Sequence, residues 1–168
     1  MHYKKGSGFT LIELMVVVVI IGVLAVLAIV MFRGASDKAK YAGAKIFLKR
    51  IYEALEEYHS VYGAYPADVY PNIPPPGLVP DFLDEWPSPE RDAFNSQFDY
   101  ENQTYHGVTC IGVTYLGKDK KHELQWNWGF EHGRVGQIME IPTGDDLFIV
   151  VAKDALTYTK AEAEKVSP

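Results

Sequence analysis

Hydrophobic residues follow one another without interruption near the start of the chain. From Leu14 to Phe32 there are 19 consecutive residues that are either apolar or glycine. In a helix they would span roughly 28 Å, which is close to the hydrocarbon thickness of a bilayer. The stretch is too long for the apolar core of a secretory signal, and no small-residue cleavage site follows it. We therefore predict a membrane-spanning helix that the mature protein keeps.

A second pattern, with the spacing of an amphipathic helix, comes after the apolar run. No proline interrupts it, and Gly63 is the predicted stop of the helix. Charged residues lie mostly off the apolar stripe, so the stripe predicts a face that packs on a soluble domain. The helix is therefore expected to continue through residues 33–63. The stripe consists of residues at steps of three to five: Ala35, Ala39, Ala42, Ile46, Ile51, Leu55, Tyr58 and Tyr62.

Prolines separate this helix from the rest of the chain. Eight of them, from Pro66 to Pro89, exclude regular helix and central strand from most of residues 64–104. The segment is too long for an ordinary connection, so we expect an ordered and packed loop. Its predicted anchors are Val79, Phe82, Leu83 and Trp86.

The remaining residues, 105–168, are expected to form a sheet and a C-terminal tail. The stretches "YHGVTCIGVTYLG" and "DDLFIVVAKD" predict strands because they are rich in β-branched residues. The stretch "HELQWNWGFEHG" is interpreted as a further strand that ends at Gly133. Three or four antiparallel strands packed on the long helix make an α+β fold.

Composition and motifs exclude several classes of function. A net charge of −6 does not suggest a nucleic-acid partner. The sequence has no P-loop, G-x-S-x-G, C-x-x-C or H-E-x-x-H motif, so an enzyme is not expected. Its single cysteine, Cys110, cannot close an intrachain disulfide.

One acid, Glu13, lies near the start of the apolar segment. An ionised carboxylate in a bilayer costs roughly 2.5–3.5 kcal/mol on insertion scales, which the apolar residues outweigh. Two interpretations remain: the acid lies at the membrane interface, partly hydrated, or it has a cationic partner. A free α-amino group would be such a partner, and cleavage between Gly8 and Phe9 would create one four residues away.

The stretch "KKGSG" followed by "FTLIELMVVVVIIGVLAVLA" resembles the leader and N-terminal helix of type IV pilin-like proteins. These include pilins, the pseudopilins of type II secretion and competence pseudopilins. The resemblance implies cleavage after Gly8 by a prepilin peptidase and N-methylation of Phe9. It also implies that Glu13 of one subunit meets the Phe9 amine of a neighbour in the filament. The resemblance also implies that the helix loosens locally near Gly22. The alternative interpretation of Gly22 is a small residue that lets two helices approach closely.

On this resemblance the chain has five parts. They are a leader peptide (residues 1–8), a transmembrane and assembly helix (9–32), an amphipathic helix (33–63), a proline-rich loop region (64–104), and a sheet head with its tail (105–168). The implied partners are further copies of the chain in a helical filament, minor pilins or pseudopilins, the prepilin peptidase, an assembly platform protein and membrane lipid. No nucleic-acid partner is expected.

The resemblance implies a structural subunit of a type IV pilus-like filament. A pseudopilin of type II secretion is favoured, because many surface pilins close a loop with a disulfide that Cys110 alone cannot form. The alternatives are a surface pilin for adhesion, motility or DNA uptake, and a membrane-tethered extracytoplasmic binding module. The expected location is the cytoplasmic membrane, with a single pass and the C-terminal domain outside. The excess of Lys and Arg after the helix favours the opposite, a cytoplasmic domain.

Acidic residues in the later loops are the candidates for a metal site. The resemblance to pseudopilins would allow calcium near the C-terminal strands, with Asp119, Glu123, Asp145 and Asp146 as candidate ligands. The sequence lacks the alternating acids of an EF-hand loop. Solvated acids in turns are therefore the favoured interpretation, and no cofactor is expected.

Overall fold

The protein is described by a computed structural model over residues 9–105, 108–122, 126–142 and 144–153. Two helices and four strands follow one another along these residues. They are α1 (Leu11–Tyr62), β1 (Phe98–Tyr105), β2 (Val108–Tyr115), α2 (Trp126–His132), β3 (Ile138–Glu140) and β4 (Leu147–Lys153). The predicted α+β arrangement, a long N-terminal helix with a small antiparallel sheet, is confirmed.

The chain divides into two compact units, Met1–Ala39 and Lys40–Pro168, and α1 contributes residues to both. The described part of the first unit is almost entirely the apolar beginning of α1. The second unit contains the end of α1, the loop and the sheet, and it holds the hydrophobic core. The expected end of the helix is confirmed, since α1 stops at Tyr62. Gly63 follows with a φ of 75° and its N–H donates to the His59 carbonyl, which closes the last turn.

The face of α1 that enters the core differs from the predicted stripe. Leu48, Ile51 and Leu55 are completely buried, and Ala44 is nearly so. Their steps of four, three and four follow the helical period closely. Ile46, which the stripe included, is instead 62% exposed. The predicted stripe was therefore wrong at Ile46. Residues on one helix face are three or four positions apart, so the step of five from Ile46 to Ile51 joins two different faces.

The sheet has the order β1-β2-β4-β3, and every neighbouring pair is antiparallel. Tyr100, Val113 and Ile149, on three different strands, are fully buried in the same cluster as the α1 residues. The pairing of β2 with β4 is irregular between Ile111 and Gly112, whose partners on β4 are Ala152 and Val150. At Gly112 an added Cβ would lie 2.6 Å from the Phe148 ring, so this position has no room for a side chain.

Two elements differ from the sequence-based expectations. The strand predicted up to Gly133 was wrong, because residues 126–132 form helix α2. Within it, Phe130 is buried and packs edge-on against Phe148, with ring centroids 5.1 Å apart. Among the side chains of α2 that the structure describes, Phe130 is the apolar one that anchors the helix to the sheet. Strand β1 begins at Phe98, inside the region 64–104 that was expected to be loop.

The proline-rich segment is packed, as expected. Leu78 and Leu83 are buried, and Val79, Phe82 and Trp86 pack against the same core. The segment also covers the outer edge of β1. There the Asn72 N–H donates to the Phe98 carbonyl, and Asp68 Oδ1 accepts from the Asn102 N–H, each at 2.8 Å. The loop therefore satisfies backbone groups of β1 that face away from β2.

Two isoleucines on α1 provide a matched test of this helix register. Ile51→Ala removes a fully buried side chain, so we expect the free energy of unfolding of the second unit to fall by about 2–5 kcal/mol. Ile46→Ala removes an exposed side chain and should change it by less than about 0.5 kcal/mol. Denaturant unfolding of the full chain in detergent, followed by tryptophan fluorescence, measures both. Equal losses from the two substitutions would contradict the register.

Candidate functional site

The first turn of α1 is closed by reciprocal hydrogen bonds between Thr10 and Glu13. The Glu13 N–H donates to Thr10 Oγ1 at 3.3 Å. In return, Glu13 Oε2 accepts from the Thr10 N–H and from the Thr10 hydroxyl, both at 2.8 Å. This is a capping box, in which the residue before the helix and the third helical residue satisfy each other's amides. The T-x-x-E spacing at the start of an apolar run is a signal that sequence reasoning could have used.

The cap orients the carboxylate of Glu13 toward the N-terminal end of the helix. Phe9 precedes the cap and its side chain is 80% exposed. The helix dipole favours a negative charge at this end. Both bonds from Thr10 end on Oε2, so the cap does not use Oε1 of Glu13. The predicted leader residue Gly8 lies outside the described residues.

Side chains around the whole circumference of α1 are uncovered in the first unit. Every large apolar residue described between Leu11 and Phe32 is at least 46% exposed. Within the described part of the chain, α1 is the one helix long and apolar enough to cross a membrane. It runs without a break through Gly22, where an added Cβ would meet no atom within 4 Å. Nothing in the described chain therefore requires glycine there, and the loosening expected at this position stays a prediction.

Three of the four calcium candidates come together. Asp119, Asp145 and Asp146 can place one carboxylate oxygen each within 4.8 Å of the others. Glu123, the fourth, lies outside the described residues. Asp145 Oδ2 already accepts from the Tyr41 hydroxyl at 2.7 Å and from the Lys118 N–H at 2.6 Å. These bonds join the loop before β4 to α1 and to the turn after β2, so Asp145 has a structural role without a metal.

A second group of titratable residues was missed by the sequence analysis. Asp99 and Glu101 are two residues apart on β1 and therefore share a face of the sheet, where both are buried. His122 Nε2 lies 3.3 Å from Asp99 Oδ2 and 3.2 Å from Glu101 Oε1. Hydrogen bonds to the two carboxylates raise the pKa of His122 to about 10, while burial raises the pKa of Glu101. The D-x-E spacing was visible in the sequence, but the approach of His122 depends on the tertiary fold.

Comparison with known proteins bears on the N-terminal helix. Residues 3–29 match the prokaryotic N-terminal methylation motif. Over 67 residues the chain is 46% identical to the type II secretion system core protein G of Pseudomonas aeruginosa. That match covers 40% of this chain and 47% of the relative. The resemblance to type IV pilin-like proteins stated above is thereby confirmed.

Two pilins are also similar to the chain. It is 44% identical over 61 residues to the type IV major pilin protein PilA of Myxococcus xanthus, a match covering 36% of this chain and 28% of PilA. It is 36% identical over 62 residues to the type IV major pilin protein PilE of Neisseria gonorrhoeae, covering 37% of each. The matched part thus spans about half the length of these relatives or less. No solved structure matches the chain.

Proposed function

We propose that this chain is a structural subunit of a type IV pilus-like filament, assembled through the beginning of α1. The observation that carries the proposal is the methylation motif over residues 3–29, which runs into a helix whose apolar side chains are uncovered on every side. A membrane covers such a surface before assembly, and the helices of neighbouring subunits cover it afterwards. The leader (1–8), the transmembrane and assembly helix (9–32) and the amphipathic helix (33–63) keep the roles stated above. The loop region ends before β1, which begins at Phe98 and belongs to the sheet head.

Glu13 is proposed to set the register between neighbouring subunits. After cleavage behind Gly8, the N-methylated amine of Phe9 on one subunit would face Glu13 on the next. At about 4 Å and an effective dielectric near 20, such a pair is worth roughly 4 kcal/mol before desolvation. Desolvation offsets much of this, so apolar helix packing supplies most of the adhesion and the ion pair supplies alignment. The capping box supports this role because it holds the carboxylate at the helix start.

Within this class we favour a pseudopilin of type II secretion. The relatives of this chain include a type II secretion system core protein G. In addition, many surface pilins close a loop with an intrachain disulfide, which Cys110 alone cannot form. The similarity to two major pilins supports the alternative, a surface pilin for adhesion, motility or DNA uptake. The relatives bear names of secretion and pilus proteins, which favours a structural function over catalysis or a tethered binding module.

The proposed location is the cytoplasmic membrane with residues 34–168 on the outer side, and then a periplasmic or surface filament. The proposed partners are other copies of the chain, minor pilins or pseudopilins, a prepilin peptidase, an assembly platform protein and lipid. For Asp119, Asp145 and Asp146, acids without a metal stay the favoured interpretation, and calcium binding is the alternative. Their carboxylates are close enough to share one ion.

Processing is the first test. We expect the mature chain to begin at Phe9, with an N-methyl group, so that the formal charge becomes 14 − 22 = −8 without the new terminus. Mass spectrometry of the N-terminal peptide from membrane-extracted protein measures this. Replacing Gly8 by a bulky residue should leave the leader attached. An intact Met1 in the presence of an active prepilin peptidase would contradict the proposal.

Topology is the second test, because the distribution of Lys and Arg favours the opposite orientation. Alkaline phosphatase folds to its active form only when exported, so we expect a fusion after Lys45 to be active. A fusion after Lys5, on the leader, should be inactive and serves as the control. Activity in the second fusion and not in the first would place the C-terminal domain in the cytoplasm.

The third test separates the charge of Glu13 from its capping role. Glu13→Gln keeps an oxygen that can accept the capping hydrogen bonds but removes the charge. Glu13→Leu removes both. Because either substitution leaves the Phe9 amine of a neighbour without a counterion, we expect cleaved, membrane-held subunits and little filament. A loss of about 2.7 kcal/mol per added subunit lowers the addition equilibrium roughly a hundredfold.

The matched control is Thr10→Val, which removes the capping hydroxyl and keeps the carboxylate charge. We expect it to assemble much better than either Glu13 variant. The measurement is the ratio of sheared or cross-linked filament to the membrane pool for each variant. A wild-type amount of filament from Glu13→Gln would show that Glu13 acts through the cap and not through its charge. A wild-type amount of filament from Glu13→Leu would show that Glu13 is only a residue at the membrane interface.

A further inference from the structure

The group of Asp99, Glu101 and His122 lies in the second unit and has no part in the proposed assembly. Both acids are on β1, which is an edge strand of the sheet, and they are only 6% and 5% exposed. The imidazole comes from the segment after β2 and its side chain is 30% exposed. The group is therefore buried on the protein side and open to solvent at the histidine. An ion could enter there without unfolding the sheet.

The hydrogen bonds in this group are long, and their lengths also fit ligands that share one ion. His122 Nε2 has one hydrogen to donate, and two carboxylate oxygens face it at 3.2 and 3.3 Å. Both distances exceed the usual 2.7–2.9 Å, roughly, of a charge-assisted N–H···O bond. Ligands around a tetrahedral ion at about 2.0–2.1 Å lie about 3.3 Å from one another. Each carboxylate oxygen thus lies from His122 Nε2 at the spacing of two ligands on one ion, and all three ligand atoms lie within 4.8 Å of one another.

Two further observations point to a cation. Glu101 Oε2 is buried and has no hydrogen-bond partner among the residues that the structure describes. It belongs to the carboxylate whose Oε1 already faces His122. In addition, two buried carboxylates face a single imidazole, and Asp68 lies near enough to act on both of them electrostatically. Such an excess of buried negative charge is costly unless it is compensated.

We propose that Asp99, Glu101 and His122 form a binding site for a divalent zinc ion. The ligands are Asp99 Oδ2, the Glu101 carboxylate and His122 Nε2, and water from the solvent side takes the fourth position. One imidazole with two carboxylates is a nitrogen and oxygen set that Zn²⁺ accepts, whereas Ca²⁺ binds through oxygen alone. Two carboxylates balance the charge of the ion. The imidazole ligates in its neutral form, so binding releases the proton that His122 shares with the acids.

A bound ion would connect the edge strand to the segment that follows β2. Hydrogen bonds already tie β1 to β2 along eight residue pairs, from Phe98 with Tyr115 to Tyr105 with Val108. His122 is seven residues beyond the end of β2, so the ion would fix a part of the chain that the sheet ladder does not reach. The ion is thus expected to stabilise this part of the head.

The test is metal titration of the full chain in detergent, in buffer freed of metal ions. We expect one equivalent of Zn²⁺ to bind, and Co²⁺ in its place to show the intense visible absorption of a tetrahedral site. His122→Gln should weaken Zn²⁺ binding at least about 100-fold, because even loss of an outer-shell partner costs about 10–100-fold. Asp119→Asn, in the other acidic group, and His59→Gln, a histidine stacked on Tyr65, should bind as the wild type does.

A second measurement uses the wild-type chain alone, so its result does not depend on whether a variant folds. In the wild-type chain, the imidazole ring signals of His122 should shift on addition of one equivalent of Zn²⁺, while those of His59 should not. Three results would overturn the proposal: no binding of Zn²⁺ at millimolar concentration, unchanged binding by folded His122→Gln, or binding that disappears in Asp119→Asn instead. Binding of Zn²⁺ with unshifted His122 signals would overturn it as well.

Discussion

The apolar surface of α1 between Leu11 and Phe32 is the constraint on which the other features depend. Full burial of one large apolar side chain is worth about 1.5–3 kcal/mol, and the described part of the chain leaves all of these residues largely exposed. In the proposed filament, lipid or other subunits cover them. The second unit builds its own core from Leu48, Ile51 and Leu55 against the sheet. The second half of α1 thus packs within its own unit, whereas its first half is proposed to pack on lipid or on other subunits.

Polar groups at the start of this apolar surface need hydrogen-bond partners within their own helix, whether or not Glu13 also contacts another subunit. The bonds between Thr10 and Glu13 do this for one backbone amide at each residue and for the Thr10 hydroxyl. They also restrict the rotamers of the glutamate, so less side-chain entropy remains to be lost when a cationic partner arrives. In the proposed filament, the helix cap and the contact between subunits therefore use the same carboxylate of Glu13, and the cap leaves Oε1 for the neighbour.

Patterns within one element were predictable from the sequence, and contacts between distant elements were not. The apolar run, the stop at Gly63 and the β-branched strands β2 and β4 each have a local cause. β1 was harder to recognise because Asp99 and Glu101 interrupt its apolar residues. Helix α2 was hard to recognise because Trp126, Trp128 and Phe130 alternate along the sequence, as apolar residues do in a strand.

The candidate sites, too, were predictable where they depend on local spacing and not where they depend on contacts between distant elements. The Thr10–Glu13 spacing is local and could have been recognised as a cap. The grouping of Asp119 with Asp145 and Asp146 requires the turn after β2 to meet the loop before β4, although all three acids were named in advance. His122 was not named at all, because nothing near it in the sequence indicates that it approaches β1.

The loop over the outer edge of β1 has a consequence for crowded subunits. An edge strand with free backbone amides and carbonyls can add a strand from another molecule, which leads to disordered aggregation. Here Asn72 and Asp68 occupy backbone groups at Phe98 and Asn102. Charged side chains on the same strand, Asp99 and Glu101, point into the protein, which further discourages strand addition. In the proposed filament, heads that the helices hold close together are thereby protected from joining sheet to sheet, and the helices determine how the subunits associate.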